Sequence, residues 1–147
     1  MVKIEPFEQH FDQYENWFVQ NRHAYQAEIE AVRCHLPVEG IGLEIGVGSG
    51  LFAGPLGIQY GIEPSEKMYT QAVNRGVKVV EGIAEMLPFE DNRYDYALMV
   101  TTICFLDNAQ KSVNEAHRVI KPGGSLIIQR YFSHIRQVLP GLRGPIS

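Results

Sequence analysis

Leu43-Glu44-Ile45-Gly46-Val47-Gly48-Ser49-Gly50, with Gly61-Ile62-Glu63-Pro64-Ser65 following, decides the reading of this chain. Ile41 to Ile45 is apolar apart from Gly42 and Glu44, the composition of a central parallel strand. Gly46, Gly48 and Gly50 let the backbone turn sharply and approach a ligand closely. Their N–H groups, at a helix start, suit an anionic group. The second stretch reads as a strand ending in the carboxylate of Glu63, 17 residues after Gly46. A carboxylate there can accept hydrogen bonds from ribose hydroxyls. The two stretches together point to a site for a ligand that contains a nucleoside.

The α/β alternation extends outward from this point. Ser65 is a good N-cap for a helix through Arg75, which Gly76 ends. Val77 to Val80 is a short third strand, and Gly82 to Arg93 a polar loop containing Leu87-Pro88-Phe89. Tyr94 to Val100 is a strong fourth strand. Asn108 to Lys121 is a helix with Val113, Ala116, Val119 and Ile120 on its apolar face. Pro122-Gly123-Gly124 is a turn, and Ser125 to Gln129 a fifth strand. Upstream, Phe7, Phe11, Tyr14 and Phe18 repeat at helical spacing, then Tyr25, Ile29, Val32 and Leu36, with a break near Asn21. Strands separated by helices predict a doubly wound, Rossmann-like, mostly parallel sheet of about five strands under an N-terminal helical cap. Right-handed crossovers bring Gly46, Glu63 and Thr101 to the edge that carries the strands' C-terminal ends.

The 147 residues are expected to form one domain: a cap over 1–39, an α/β core over 40–129 and an irregular tail over 130–147, with a short helix near Ser133 to Leu139. The net charge of −4 makes nucleic acid a poor default partner, although the tail carries Arg130, Arg136 and Arg143 and no acid. Cys34 and Cys104 have neither disulfide nor zinc spacing and read as small apolar packing residues. No apolar run reaches the length of a membrane span, and the start of the chain has no signal core, so the cytoplasm is the expected compartment.

Four blocks in order carry a resemblance over residues 40–129: Glu44 to Gly50; Gly61-Ile62-Glu63-Pro64-Ser65-Glu66-Lys67-Met68; Ala84-Glu85-Met86-Leu87-Pro88-Phe89 with Tyr94-Asp95; and Glu115-Ala116-His117-Arg118-Val119-Ile120-Lys121-Pro122-Gly123-Gly124. The chain resembles the class I S-adenosylmethionine-dependent methyltransferases, of the small-molecule type related to ubiquinone and menaquinone biosynthesis enzymes. The resemblance implies S-adenosylmethionine as cofactor, with Gly46, Gly48 and Gly50 at its carboxylate end. It places Glu44 toward the ammonium and Glu63 at the ribose. Ile62, Pro64 and the Ala84 N–H would surround the adenine, and Met86 and Leu87 would close its other face. Many relatives carry an acid just before Ala84. This chain has Ile83, so Glu85 or a backbone carbonyl would take that role.

Thr101 and Thr102 to Phe105 follow the fourth strand, where the family brings acceptor and methyl group together. Tyr14, as a lid, and Trp17 behind it are expected over the acceptor. The favoured activity is methyl transfer to a small organic acceptor by in-line displacement, with no DNA partner and no catalytic base identified. The alternative is a cofactor-binding protein of weak or no activity that works through a partner. The family sheet usually carries two further strands, which leaves the fifth strand here at an open edge and a homodimer as one way to cover it. Two readings stay open beside these. Glu44 could be satisfied by loop N–H groups alone. A dinucleotide fingerprint would need a small residue where Leu51 stands.

Overall fold

The fold is that of a computed structural model, which describes residues 4–130 apart from the side chain of Cys104. The chain opens with three helices, α1 (Glu5–Gln9), α2 (Phe11–Gln20) and α3 (Arg22–Arg33). The expected break falls at Asn21, and a second one at His10 sets α1 off from α2. There follow β1 (Gly42–Ile45), α4 (Ala53–Leu56), β2 (Tyr60–Glu63), α5 (Glu66–Asn74), β3 (Lys78–Glu81), β4 (Tyr94–Val100), a 3-10 turn (Thr102–Phe105), α6 (Ala109–Val119) and β5 (Ile120–Gln129). The helix after the glycine run is only four residues long. It starts at Ala53, three residues after Gly50. Capping follows the sequence. The Ser65 side chain accepts from Met68 N–H, and the Asn108 side chain from Lys111 N–H.

All five strands are parallel, in the order β3-β2-β1-β4-β5. This is the doubly wound sheet the alternation predicts, and the strand order reverses between β1 and β4. Beside Tyr94 and Tyr96 the β5 register slips, so that Lys121 to Gly124 bulge out between the Tyr94–Ile120 and Tyr96–Ser125 pairs. The Pro122-Gly123-Gly124 turn thus lies inside β5, at its start, and does not precede it. Among the described residues β5 pairs with β4 alone.

The sheet has a core on each face. Tyr96, Leu98 and Val100 of β4 pack with Phe18, Ile29 and Val32 of the cap and with Phe52 and Ala72. Ala97 and Met99 point the other way, to Leu43, Ile45, Ala116 and Val119. The period-two alternation of one central strand thus serves two layers of helix. Cys34 departs from expectation: at the end of α3 it is exposed and unpaired, not packed. The expected tail helix lies outside the described residues. Among the described residues, no helix is long and apolar enough to cross a membrane, and no three His, Cys, Asp or Glu side chains are grouped to hold a metal ion.

Candidate functional site

The C-terminal ends of β1, β2 and β4 open into one cavity of about 90 Å³, roofed by the N-terminal helices. At its floor, Gly46 leaves β1 with φ +73°, and its N–H and that of Val47 donate to the Ile62 carbonyl across the strands. A Cβ on Gly46 would stand 2.4 Å from the Thr102 hydroxyl oxygen, so both the backbone conformation and the space exclude a side chain there. Gly48, with φ +57°, faces the open cavity. Its nearest neighbour in the Cβ direction is the Tyr14 hydroxyl, 4.0 Å away. Gly50 points elsewhere. A Cβ on it would meet the Ala72 backbone at 3.0 Å, so this third glycine allows α5 to pack close to the loop.

Two buried carboxylates line the cavity. Glu63 is held at both oxygens: Gly48 N–H donates to Oε1 at 2.9 Å and Ser65 N–H to Oε2 at 3.0 Å. Burial raises its carboxyl from the ordinary 4.5 to about 7; the two N–H groups pull the other way and Glu8 adds repulsion. Glu44 lies within β1 at 2% exposure. Burial likewise pushes its carboxyl well above the usual range, against a hydrogen bond from the Ala53 backbone, with Glu63 adding repulsion. Its Oε1 has no hydrogen-bond partner. A buried carboxylate oxygen without a donor is costly. Glu44 is therefore only half satisfied by backbone N–H groups, and the residue lines a cavity that can bring it a donor.

The cap closes the opposite side. The Tyr14 ring stands edge-on to Phe18 at 5.1 Å and to Phe7 at 6.3 Å, and Phe7 meets Phe105 at 5.4 Å. Burial, then Glu15, Glu44 and Glu63, push the Tyr14 hydroxyl above its normal range, so it stays protonated and can donate. The cap is tied down by polar bonds. Arg75 at the end of α5 pairs with Glu15 of α2 at 2.7 Å and donates to the Ser49 carbonyl at 2.7 Å. The Ser65 hydroxyl donates to Glu8 of α1 at 3.0 Å, and the Tyr25 hydroxyl donates to the Leu51 carbonyl.

Of the residues expected at the site, Glu44, Gly46, Gly48, Ile62, Glu63, Pro64, Ala84, Thr101, Tyr14, Thr102 and Phe105 line this cavity. Gly50, Glu85, Met86 and Trp17 do not. The turn closed by the Ile83–Met86 bridge separates the third block. Ile83 and Ala84 face the cavity, Glu85 is buried with Oε2 toward the Asn108 N–H at 3.4 Å, and Met86 is 66% exposed. Trp17 packs edge-on against Phe18 at 5.1 Å, one position off the stripe that faces inward. Thr101 adopts a left-handed backbone, φ +58°, unusual for a β-branched residue and set at the cavity wall. Thr102 donates its hydroxyl to the Ile45 carbonyl at 3.0 Å, joining the end of β4 to the end of β1. Sequence reasoning missed Ile4, Phe7, Phe18 and Met68 as lining residues. The signal for Phe7 and Phe18 was the aromatic stripe, which read equally well as core; Ile4 and Met68 carried none.

Residues 43–128 match the family model described as a methyltransferase domain. The chain is 52% identical to an S-adenosylmethionine-dependent methyltransferase of Thermotoga maritima, named as a possible histamine N-methyltransferase. That crystal structure superposes with a TM-score of 0.83, over 85% of this chain and 60% of that one. An uncharacterized protein of Methanocaldococcus jannaschii is 43% identical over 83% of this chain and 59% of its own length. A demethylmenaquinone methyltransferase of Geobacillus kaustophilus is 29% identical over 59% of this chain and 45% of that protein. The chain thus spans about 60% of the length of the first two relatives. With the parallel five-strand sheet and the ordered motif blocks, the match over residues 43–128 establishes that the chain belongs to the S-adenosylmethionine-dependent methyltransferase family.

Proposed function

We propose that this cavity holds S-adenosylmethionine and that the chain, as one domain of cap, core and tail, takes part in methyl transfer to a small organic acceptor. The observation that carries the reading is Glu44: a buried carboxylate whose Oε1 lacks a partner and which lines the cavity beside a glycine loop. Such an oxygen requires a donor, and the cofactor's ammonium group is one that suits it. The N–H groups of the Gly46–Gly48 turn are taken by the Ile62 carbonyl and Glu63, and what the turn offers the cofactor's carboxylate end is the open space at Gly48. Glu63 keeps lone pairs beyond the two N–H bonds it accepts, and these suit the ribose hydroxyls. Ile62, Pro64, Ile83 and Ala84 supply an apolar slot for the base, with the Ala84 N–H as its polar contact. Ile83 replaces the acid common in relatives, so the base is recognised here by packing and backbone.

When bound, S-adenosylmethionine supplies a methyl group on a sulfonium, which an acceptor displaces in line. The chain's own residues bind, orient and exclude water. Thr101, Thr102, Phe105 and Tyr14 form the wall between the end of β4 and the cap, where an acceptor would lie. Both threonine hydroxyls are committed to backbone carbonyls, Thr101 to Val100 and Thr102 to Ile45, so they shape the wall and do not abstract protons. Tyr14 is the remaining polar group on this side. Catalysis in this reading rests on alignment within a dry pocket. The test is titration with S-adenosylmethionine, followed by an acceptor screen that detects S-adenosylhomocysteine. Binding with release of that product supports the reading. Binding without product from any acceptor favours the cofactor-binding alternative, and no binding by the folded chain overturns both.

A further inference from the structure

The loop between β3 and β4 provides Gly82, Ile83 and Ala84 to the cavity and then runs outside it to Arg93. Its outer part is strapped to α6 by one side chain. Arg118 donates through Nη2 to the Leu87 carbonyl at 2.9 Å, and through Nη1 to the Phe89 carbonyl at 2.7 Å and to Asp91 at 2.9 Å. Its Nε and Nη2 also grip Glu115, at 2.8 and 2.9 Å. The Glu115 carboxylate in turn accepts the Leu87 N–H at 2.7 Å, so both backbone polar groups of Leu87 are held by one ion pair. The Asn92 and Arg93 N–H groups donate to the carbonyls of Arg118 and Val119. At the other end of the helix, Glu85 accepts the Asn108 N–H.

This fastening begins three residues after Ala84. Between them lies only the tight turn in which Met86 N–H donates to the Ile83 carbonyl at 3.3 Å. The wall has little freedom on its inner side either, because a Cβ on Gly82 would stand 2.8 Å from Ile62. A displacement of Leu87 is therefore passed directly to Ile83 and Ala84. Guanidinium is the group that can do this: its planar fork reaches two carbonyls and two carboxylates together, which an ammonium cannot.

We propose that Arg118, with Glu115, is a positioning residue for the cofactor's base, setting the Gly82–Ala84 wall from outside the cavity by clamping the loop that follows it. The proposal rests on the reading that the cavity holds S-adenosylmethionine with its adenine against that wall. Adenine offers an unprotonated ring nitrogen to a backbone N–H, whereas hypoxanthine carries a proton there. A correctly placed Ala84 N–H therefore favours S-adenosylhomocysteine over S-inosylhomocysteine.

The experiment is calorimetric titration of both compounds into the wild-type chain and into Arg118→Met, Arg118→Lys, Glu115→Gln and Asp91→Asn. In Arg118→Met, affinity for S-adenosylhomocysteine should fall about tenfold, the loss expected of a missing charge-assisted bond, and the ratio between the two compounds should contract toward one. Arg118→Lys should not restore the ratio, and Asp91→Asn, which loses only the charge at one exposed contact, should behave as wild type. Glu115→Gln preserves side-chain shape, so it keeps the test sound if Arg118→Met fails to fold; it should contract the ratio too. Simple destabilisation lowers both affinities in proportion and leaves the ratio alone. An unchanged ratio in Arg118→Met or Glu115→Gln overturns the clamp while leaving the cofactor reading standing. No binding by the wild-type chain overturns that reading and the proposal with it.

Discussion

Replacing Glu63 by glutamine should change how stability depends on pH, by an amount the structure sets. Glu63 is buried, its oxygens accept from Gly48 and Ser65 N–H, and burial raises its carboxyl from 4.5 to about 7. The folded protein thus holds this proton to higher pH than the unfolded chain does. Below the unfolded value both states are protonated and the group's contribution to stability is fully present. As pH rises toward 7 the unfolded chain ionises first, and stability falls until the folded carboxyl has ionised too. A separation of roughly 2.5 units at ~1.4 kcal/mol each gives a loss of about 3 kcal/mol across that window. Glutamine does not titrate, so the variant lacks this loss. Its amide nitrogen must face one of the two N–H donors, which costs about 1–2 kcal/mol at every pH. Wild type should therefore be the more stable protein near pH 4.5, and the variant equal or ahead near pH 8. Glu44 titrates with the same sign in both proteins, and because Glu63 adds to its rise, its own loss with pH shrinks in the variant and moves the difference in the same direction. Urea titrations followed by the single tryptophan, Trp17, would measure this. A difference that stays constant within ~0.5 kcal/mol across the range would refute the reasoning.

Three further outcomes follow from the same geometry. Gly46→Ala forces a side chain into a left-handed backbone and against Thr102 at 2.4 Å; a loss of about 2–4 kcal/mol is expected in chemical denaturation, and a loss under ~0.5 kcal/mol would contradict it. Gly48→Val fills the space between the loop and Tyr14 at similar φ, so cofactor titration should show no binding; retained affinity would remove this turn from the site. Arg75→Met removes the bond to Glu15 and to the Ser49 carbonyl; α2 amides should exchange faster with solvent while the β4 amides keep their protection, and equal exchange in α2 would show that aromatic packing alone holds the cap.

The sheet was legible because its signals are local. Val, Ile and Leu runs, Ser65 and Asn108 as caps and glycines at turns each act within a few residues, and their order left little choice of topology. Glu63 was legible for a related reason, as the acid that closes the second strand. The three glycines were not separable by spacing. Gly46 and Gly48 shape the cavity and Gly50 serves α5, and only backbone direction distinguishes them. Trp17 and Tyr14 sit three positions apart on α2, close enough to share a face by pattern, yet Tyr14 and Phe18 point inward while Trp17 packs beside them. The break at His10 sets Phe7 on a separate helix from Tyr14 and Phe18, so its place against Phe105 could not be read from the stripe. Arg118 shows the same limit at longer range. Apart from Glu115 on the same helix, its partners lie 27 to 31 positions earlier, and no periodicity joins them.

The central claim, that the cavity beneath the cap holds S-adenosylmethionine, is tested most directly by calorimetric titration of the folded chain with S-adenosylmethionine and S-adenosylhomocysteine. Saturable binding of one molecule per chain, abolished by Gly48→Val, is the result the geometry predicts. A folded wild-type chain that takes up neither compound would contradict it.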